Sequence, residues 1–471
     1  MTVSRLIFPA IRWRDDTGYE HEWDAISRAL ALDVGGFIIF GGPAEAVRTL
    51  TERLQREAGR PLLLAADLER GAGQQFDGLT QFPPPRALTA LDRTEVTRWA
   101  GAATAREARG VGINWVFAPV ADLDLLPDNP IIQTRAFAAE PALAARHVAA
   151  WIEGCEAAGA LACAKHYPGH ARTTTDSHIA LPVVTATREQ LAIDQVPFQA
   201  ALDAGVASLM TAHVAYPSLD PSGLPATLSP TIIGDLRAKG FDGLVVSDAL
   251  IMEAALAGRS EADAAVAALA AGVDILLYPQ DTDAVAAALS AALEAGRLSP
   301  ARVDQALRRY DAALARVAAP PAPAHERPPF DSAPSLADAL VAAGITRASR
   351  PSLRRPLELL IVDDDLGGPY APVPPDTVAA TLEAAGVALG PGGSRVVLAF
   401  AEPRAWKGRA GFSEASRAAL AELVPGSDLV VLFGHPRLVG EIPGSGAVLV
   451  AWHRQRLMQA AVGRWLSEQS R

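Results

Sequence analysis

The sequence predicts an α/β protein: a (β/α)8 TIM-type barrel followed by a smaller C-terminal α/β domain. Three observations predict it. Eight short apolar runs recur over residues 1–318, and stretches with apolar residues at helical spacing lie between most of them. A proline-rich break then precedes a second, shorter series of the same kind.

The runs read "LIFPAI" (from Leu6), "GFIIFG" (Gly36), "PLLLAAD" (Pro61), "INWVFAPVAD" (Ile113), "ALACAKHYPG" (Ala160), "ASLMTAH" (Ala207), "GLVVSD" (Gly243) and "VDILLYP" (Val273). Near-continuous apolar strands belong to a parallel sheet covered on both faces. The intervening stretches include "DAISRALALDVG" and "REQLAIDQVPFQAALDAG", the latter closed by Gly205 as a helix C-cap. Eight such alternations favour a barrel over residues 1–318. An open doubly wound sheet is the other arrangement, but no G-x-G-x-x-G follows the first strand. The prolines of "VAAPPAPAHERPPFDSAP" sustain neither helix nor central strand, so residues 319–332 read as a linker. "PLELLIVDDD", "SRVVLAF", "SDLVVLFG" and "GAVLVAW" then mark the second domain, residues 333–471.

Composition narrows the function classes. Half of the 471 residues are hydrophobic, a fifth are charged, and the formal net charge is −11. This is the balance of a soluble globular chain, with no basic run beside an aromatic stripe to bind nucleic acid. No segment approaches the roughly 18 uninterrupted apolar residues of a membrane helix. The six apolar residues before Arg12 are too few for a signal-peptide core, so the expected location is cytoplasmic. Cys155 and Cys163, the two cysteines, make neither a disulfide framework nor a zinc pattern.

One stretch concentrates chemistry. "KHYPGHARTTTDSH", residues 165–178, holds three of the nine histidines with a lysine and an aspartate. It begins at the end of the fifth strand, and barrel enzymes work where strand ends and their loops converge. Other strand ends carry Asp67, Asp122, His213 and Asp248, whereas strands one, two and eight are read as carrying no titratable group there. Each residue also has a plainer role: Asp248 as a helix cap, Asp67 as a partner of Arg70, His213 as a satisfied core histidine, Asp176 and His178 as turn residues. Those roles weaken when one mouth holds all the residues together. No metal is expected, since the first strand lacks an H-x-H and Lys165 beside His166 would repel a cation.

On these residues the chain resembles the N-acetyl-β-glucosaminidase branch of glycoside hydrolase family 3. The resemblance rests on "DLERGAGQQF", "INWVFAPVADLD", "NPIIQTRAF", "KHYPGH", "DSHIALP", "MTAHVAYPSLD", "PATLSPTIIGDLRAKGFDGLVVSDAL" and "AAGVDILLYP". It implies a retaining mechanism. Asp248 matches the nucleophile that forms a glycosyl-enzyme. His178 matches an acid–base histidine, which in this branch replaces the usual second carboxyl. Asp176 matches the aspartate that orients that ring, as a carboxylate does in a serine-hydrolase triad. Asp67, Arg135, Lys165 and His166 match sugar-hydroxyl contacts, and Gln75 stands where the family holds the sugar with an arginine. Arg70 replaces the first glycine of E-G-G, and Ala171 replaces the glycine after "PGH". These departures leave the catalytic set intact and bear on which sugar is bound.

The function expected is therefore an exo-acting β-N-acetylglucosaminidase on small cell-wall or chitin-derived glycosides, with peptidoglycan recycling as its setting and no cofactor. The partner is a small carbohydrate, and the sequence gives no oligomeric state. A phosphorylase is a second enzymatic class, because a neutral histidine repels incoming phosphate less than a carboxylate would. A related β-glycosidase of altered specificity and a non-catalytic sugar-binding protein complete the alternatives. The second domain offers no catalytic set and is assigned packing, rim-shaping or dimerisation.

Overall fold

The computed structural model describes residues 2–174, 181–321, 328–347, 350–368, 371–402, 407–444 and 446–471. Strand β1 is split by Pro9 into Ile7–Phe8 and Ala10–Arg12; β2 is Gly36–Phe40, β3 Leu63–Ala66, β4 Trp115–Val116, β5 Leu161–Tyr167, β6 Ser208–Thr211, β7 Leu244–Val246 and β8 Leu276–Leu277. The second half of β1 pairs with β2, and parallel pairings continue in order to β7. A bridge from Val246 to Ile275 leads to β8, which pairs in parallel with the first half of β1. The pairings thus return to their start, and all eight expected strands take part.

Local chemistry explains the elements. In the helix Ala44–Ala58 the buried positions Val47, Leu50, Thr51 and Leu54 fall on one helical face, and Gly59 ends the helix in the left-handed conformation. The helix Arg188–Asp194 starts from a capping box in which Thr187 and Gln190 satisfy one another's backbone amides. At Gly36 a Cβ would stand 1.7 Å from the Leu63 carbonyl oxygen, so only glycine lets β2 and β3 approach this closely.

The chain divides into two compact units. The first is Met1–Thr80, Thr94–Leu125 and Phe137–Arg327; the second is Gln81–Arg93, Leu126–Ala136 and Pro328–Arg471. Two stretches lying within residues 1–318 therefore pack with the C-terminal unit. That unit contains a five-stranded sheet, β9 Ile345–Thr346, β10 Leu357–Asp363, β11 Ser394–Ala401, β12 Leu429–Gly434 and β13 Val448–Val450, ordered β9-β13-β12-β11-β10. All its pairings are parallel except that of β9. Arg454, fully buried, holds the strand ends together through Asp363 at 2.8 Å and Asp365 at 2.7 Å.

One buried group in the first unit makes stability depend on pH. Glu156 Oε1 accepts from the Ala162 and Ala207 amides, 3.0 and 2.9 Å, and Oε2 meets Arg316 at 3.1 Å. Burial pushes its carboxyl up from 4.5 to about 7 despite these partners. Between those pH values the folded chain binds a proton that the unfolded chain does not. The resulting stability is present below pH 4.5 and lost as the pH rises through 7. Glu156→Gln keeps an acceptor for both amides and removes the titration. The variant should therefore gain on the parent between pH 5 and pH 8 by roughly 2–3 kcal/mol in chemical denaturation. A stability difference independent of pH would contradict this assignment.

Candidate active site

The carboxyl ends of β3 to β7 are joined by a belt of polar contacts. Lys165, near the end of β5 and almost fully buried, donates to Asp67 Oδ1 at 2.6 Å and lies 2.9 Å from Glu69 Oε1. Both carboxylates follow β3. Asp67 keeps 28% of its side chain accessible against 7% for Glu69, so it is the more open of the two carboxylates.

The next contact joins β4 to β5. Asp122 is buried and accepts three bonds, from the His166 amide at 3.1 Å, His166 Nδ1 at 2.8 Å and the His170 amide at 2.6 Å. Burial alone would raise its carboxyl, yet the histidines hold it below the usual carboxylate range. As Asp122 is then an acceptor only, the His166 proton sits on Nδ1 and the ring's orientation is fixed. Burial and the neighbouring His166 lower His170 to about 4, which keeps it neutral.

Asp248 follows β7, and its Oδ1 accepts from the Ala249 amide at 2.8 Å. Burial would again raise the carboxyl, but His166, His213, the Ala249 amide and Lys165 together lower it. It is therefore ionised at neutral pH. His213, at the end of β6, is completely buried. Its Nε2 lies 3.1 Å from the Ala249 carbonyl oxygen and its Nδ1 2.8 Å from Thr227 Oγ1. A carbonyl only accepts, so Nε2 carries the proton; burial lowers this histidine too. His213 thus supports the backbone beside Asp248 as a satisfied core histidine. Burial also pushes the nearby Cys163 thiol up to about 12, which leaves no thiolate to compete as a nucleophile.

Among the expected residues, the structure pairs Lys165 with Asp67 and sets Asp248 within the electrostatic reach of His166 and Lys165. Gln75 stands just after a 3-10 turn, Ala72–Gln74, with Oε1 accepting from the Gly41 amide at 3.3 Å beyond the end of β2. Arg135 ends a short turn, Gln133–Arg135, in the segment that packs with the second unit. Asp176 and His178 lie outside the described residues. One expectation is corrected: strands one and eight do carry titratable groups. Arg12 Nε donates to the Tyr278 hydroxyl at 2.9 Å, and its guanidinium lies over Phe40 and Tyr278 at 4.5 and 5.0 Å from the ring centroids. Arg12 directly follows the apolar run "LIFPAI", and Tyr278 lies inside the apolar run "VDILLYP" while carrying a hydroxyl. Glu69 was also missed as a partner of Lys165, although it stands two residues after Asp67.

Barrel enzymes work at the carboxyl ends of their parallel strands, which is where these carboxylates, the lysine and the oriented histidines stand. The glycosyl hydrolase family 3 N terminal domain matches residues 24–312, and the chain belongs to that family as a glycoside hydrolase. Over 290 residues it is 34% identical to the beta-N-acetylglucosaminidase/beta-glucosidase of Cellulomonas fimi, covering 59% of this chain and 51% of that protein. It is 37% identical over 273 residues to the beta-hexosaminidase of Thiobacillus denitrificans, covering 54% and 75%. The chain thus spans about half the length of the first relative and three quarters of the second. A glycoside hydrolase family 3 beta-N-acetylglucosaminidase from Paenibacillus sp. str. FPU-7 has a solved structure with TM-score 0.83 at 27% identity, over 99% of this chain and 96% of that one. Among the described residues no helix is long and apolar enough to cross a membrane, and no three His, Cys, Asp or Glu side chains are grouped to hold a metal ion.

Proposed function

We propose that this protein is a retaining, exo-acting β-N-acetylglucosaminidase that removes terminal N-acetylglucosamine from small cell-wall or chitin-derived glycosides. The observation that carries this reading is the placement of Asp248 just after β7, its Oδ1 on the Ala249 amide at 2.8 Å and its carboxylate kept ionised near His166 and Lys165. A nucleophile must be anionic before substrate arrives, and a carboxylate serving only as a helix cap needs no such surroundings.

In the first step Asp248 attacks the anomeric carbon while His178 gives its proton to the leaving oxygen. In the second, His178 takes a proton from water as the water displaces Asp248. Asp176 orients the imidazole and stabilises its charged form. Asp67, Lys165 and His166 hold sugar hydroxyls with charge-assisted hydrogen bonds, joined in this reading by Gln75 and Arg135.

A panel of aryl β-glycosides with and without the 2-acetamido group tests the substrate. The 2-acetamido glycoside should be cleaved at least about tenfold faster in kcat/KM, the lower end of what a missing contact contributes. A preference for the plain glucoside would replace the sugar assignment. Product analysis by NMR with added phosphate separates the two enzymatic readings: free sugar supports the hydrolase, and sugar 1-phosphate would make the chain a phosphorylase.

A further inference from the structure

Arg12 ends the first barrel strand as a partly buried cation without an anion. Among the described residues no carboxylate pairs with it. Its Nε and Nη2 donate to the Tyr278 hydroxyl, and its guanidinium lies over the Phe40 and Tyr278 rings. Nη1 meets no protein acceptor among the described residues. Other partly buried arginines of this unit do meet carboxylates: Arg5 and Arg60 at Asp33, and Arg237, Arg302 and Arg309 at Asp274.

The side chain faces the inside of the barrel at its carboxyl end. Arg12 and Phe40 are partners across β1 and β2, so both rise on one face of the sheet. Gly36 shares that face, four residues before Phe40, and an added Cβ there would lie 2.6 Å from the Phe8 ring. Phe8 of β1 packs edge-on against Trp115 of β4, with ring centroids 5.6 Å apart. Strands three apart in a closed ring meet only through its interior. The Tyr278 carbonyl accepts from the amide of Ile251, three residues after Asp248, at 3.3 Å. The ends of β7 and β1 are therefore two strand spacings apart, about 10 Å.

A cavity of about 830 Å³ opens at Arg12, Tyr278 and Ile251, a volume in the range of small-molecule sites. Ile251, 43% exposed, gives it an apolar wall. The acidic groups lining it are engaged elsewhere: Glu22 with His21 at 3.5 Å, Asp283 with Arg28 at 3.6 Å, and Asp281 with the Ala284 amide at 2.9 Å. Tyr278 has a φ of +50°, which bulky residues rarely adopt, and such strain collects at ligand clamps.

We propose that Arg12 binds one oxyanion, a carboxylate or phosphate group, beside the scissile bond. The aromatic faces and the Tyr278 hydroxyl fix the guanidinium and leave Nη1 to meet the ligand. A tie between β1 and β8 fits less well as its sole role, since that needs no charge and an apolar pair would hold the strands as firmly. The proposal rests on the glycosidase reading, which puts the scissile bond at Asp248.

The test compares aryl β-glycosides bearing a 3-carboxylate with those bearing a neutral 3-carboxamide, in both the 2-acetamido and the plain glucoside series. In the parent, kcat/KM should favour the carboxylate by about tenfold or more, the scale of one hydrogen-bonded charge. Arg12→Gln should remove most of that preference, and Arg12→Lys should keep part of it. Tyr278→Phe keeps the ring but not the orienting hydroxyl; it should lower the preference by a smaller factor, and it serves if Arg12→Gln does not fold. Millimolar inorganic phosphate separates two sources of the oxyanion. Competition with the carboxylate substrate alone, lost in Arg12→Gln, assigns the site to an attached group. Acceleration of both substrates, again lost in Arg12→Gln, assigns it to free phosphate. No carboxylate preference together with no phosphate effect, or either effect unchanged in Arg12→Gln, would overturn the proposal. Because the preference is a ratio within one sugar series, faster cleavage of the glucosides would overturn the sugar assignment and leave the role of Arg12 standing.

Discussion

Asp248→Ala should abolish turnover of a 2-acetamido aryl β-glycoside, with a loss on the order of 10⁴–10⁶ in kcat, the scale on which removing a covalent nucleophile acts. The fold should survive. The carboxylate sits at a strand end and donates nothing to the core; within the described residues its hydrogen bond is from the adjacent Ala249 amide. Its neighbours His166 and His213 are held by Asp122, Thr227 and the Ala249 carbonyl. Removing one negative charge from a place built to stabilise it should leave the melting temperature within a few degrees. Steady-state kinetics with circular dichroism checks both halves. Turnover within tenfold of the parent in well-folded protein would reduce Asp248 to a helix cap.

His178→Ala should cost roughly 10²–10⁴ in rate, the usual range for general acid–base catalysis. The loss should depend on the leaving group. A dinitrophenolate departs without a proton, so it should be affected least in glycosylation, whereas a phenolate or sugar alkoxide needs the proton and should be affected most. Asp176→Ala should act in the same direction and less severely, because the imidazole remains and loses only its orienting partner. Burst kinetics on the dinitrophenyl glycoside distinguishes the two steps: a fast first turnover followed by slow steady state places the remaining defect in deglycosylation. The same loss on both leaving groups in the first turnover would remove His178 from the acid role.

The barrel was legible because its strands are buried on both faces and read as continuous apolar runs; β5, "LACAKHY", is buried at every position. Placing the candidate residues takes one further rule, that barrel loops converge at the carboxyl ends, and Asp67, Lys165, His166 and Asp248 do stand at or just beyond strand ends. Where that reading stopped at apolar character it lost information. Arg12 fell one residue outside its run, and Tyr278 joins apolar bulk to a hydroxyl that accepts from an arginine. The grouping of Gln81–Arg93 and Leu126–Ala136 with the second unit had no local signal, since it depends on partners hundreds of residues away, such as the Gln455 side chain donating to the Phe82 carbonyl.

The most direct measurement of the central claim is to trap the glycosyl-enzyme. The protein is incubated with a 5-fluoro analogue of an N-acetylglucosaminyl fluoride, which slows both steps but leaves the second slower, then digested with protease and read by peptide mass spectrometry. The account predicts a mass increase of one fluorinated N-acetylhexosaminyl group on the peptide containing Asp248, and none on Asp248→Ala. A label on another residue, or none while the parent still turns over substrate with inversion at the anomeric carbon, would contradict it.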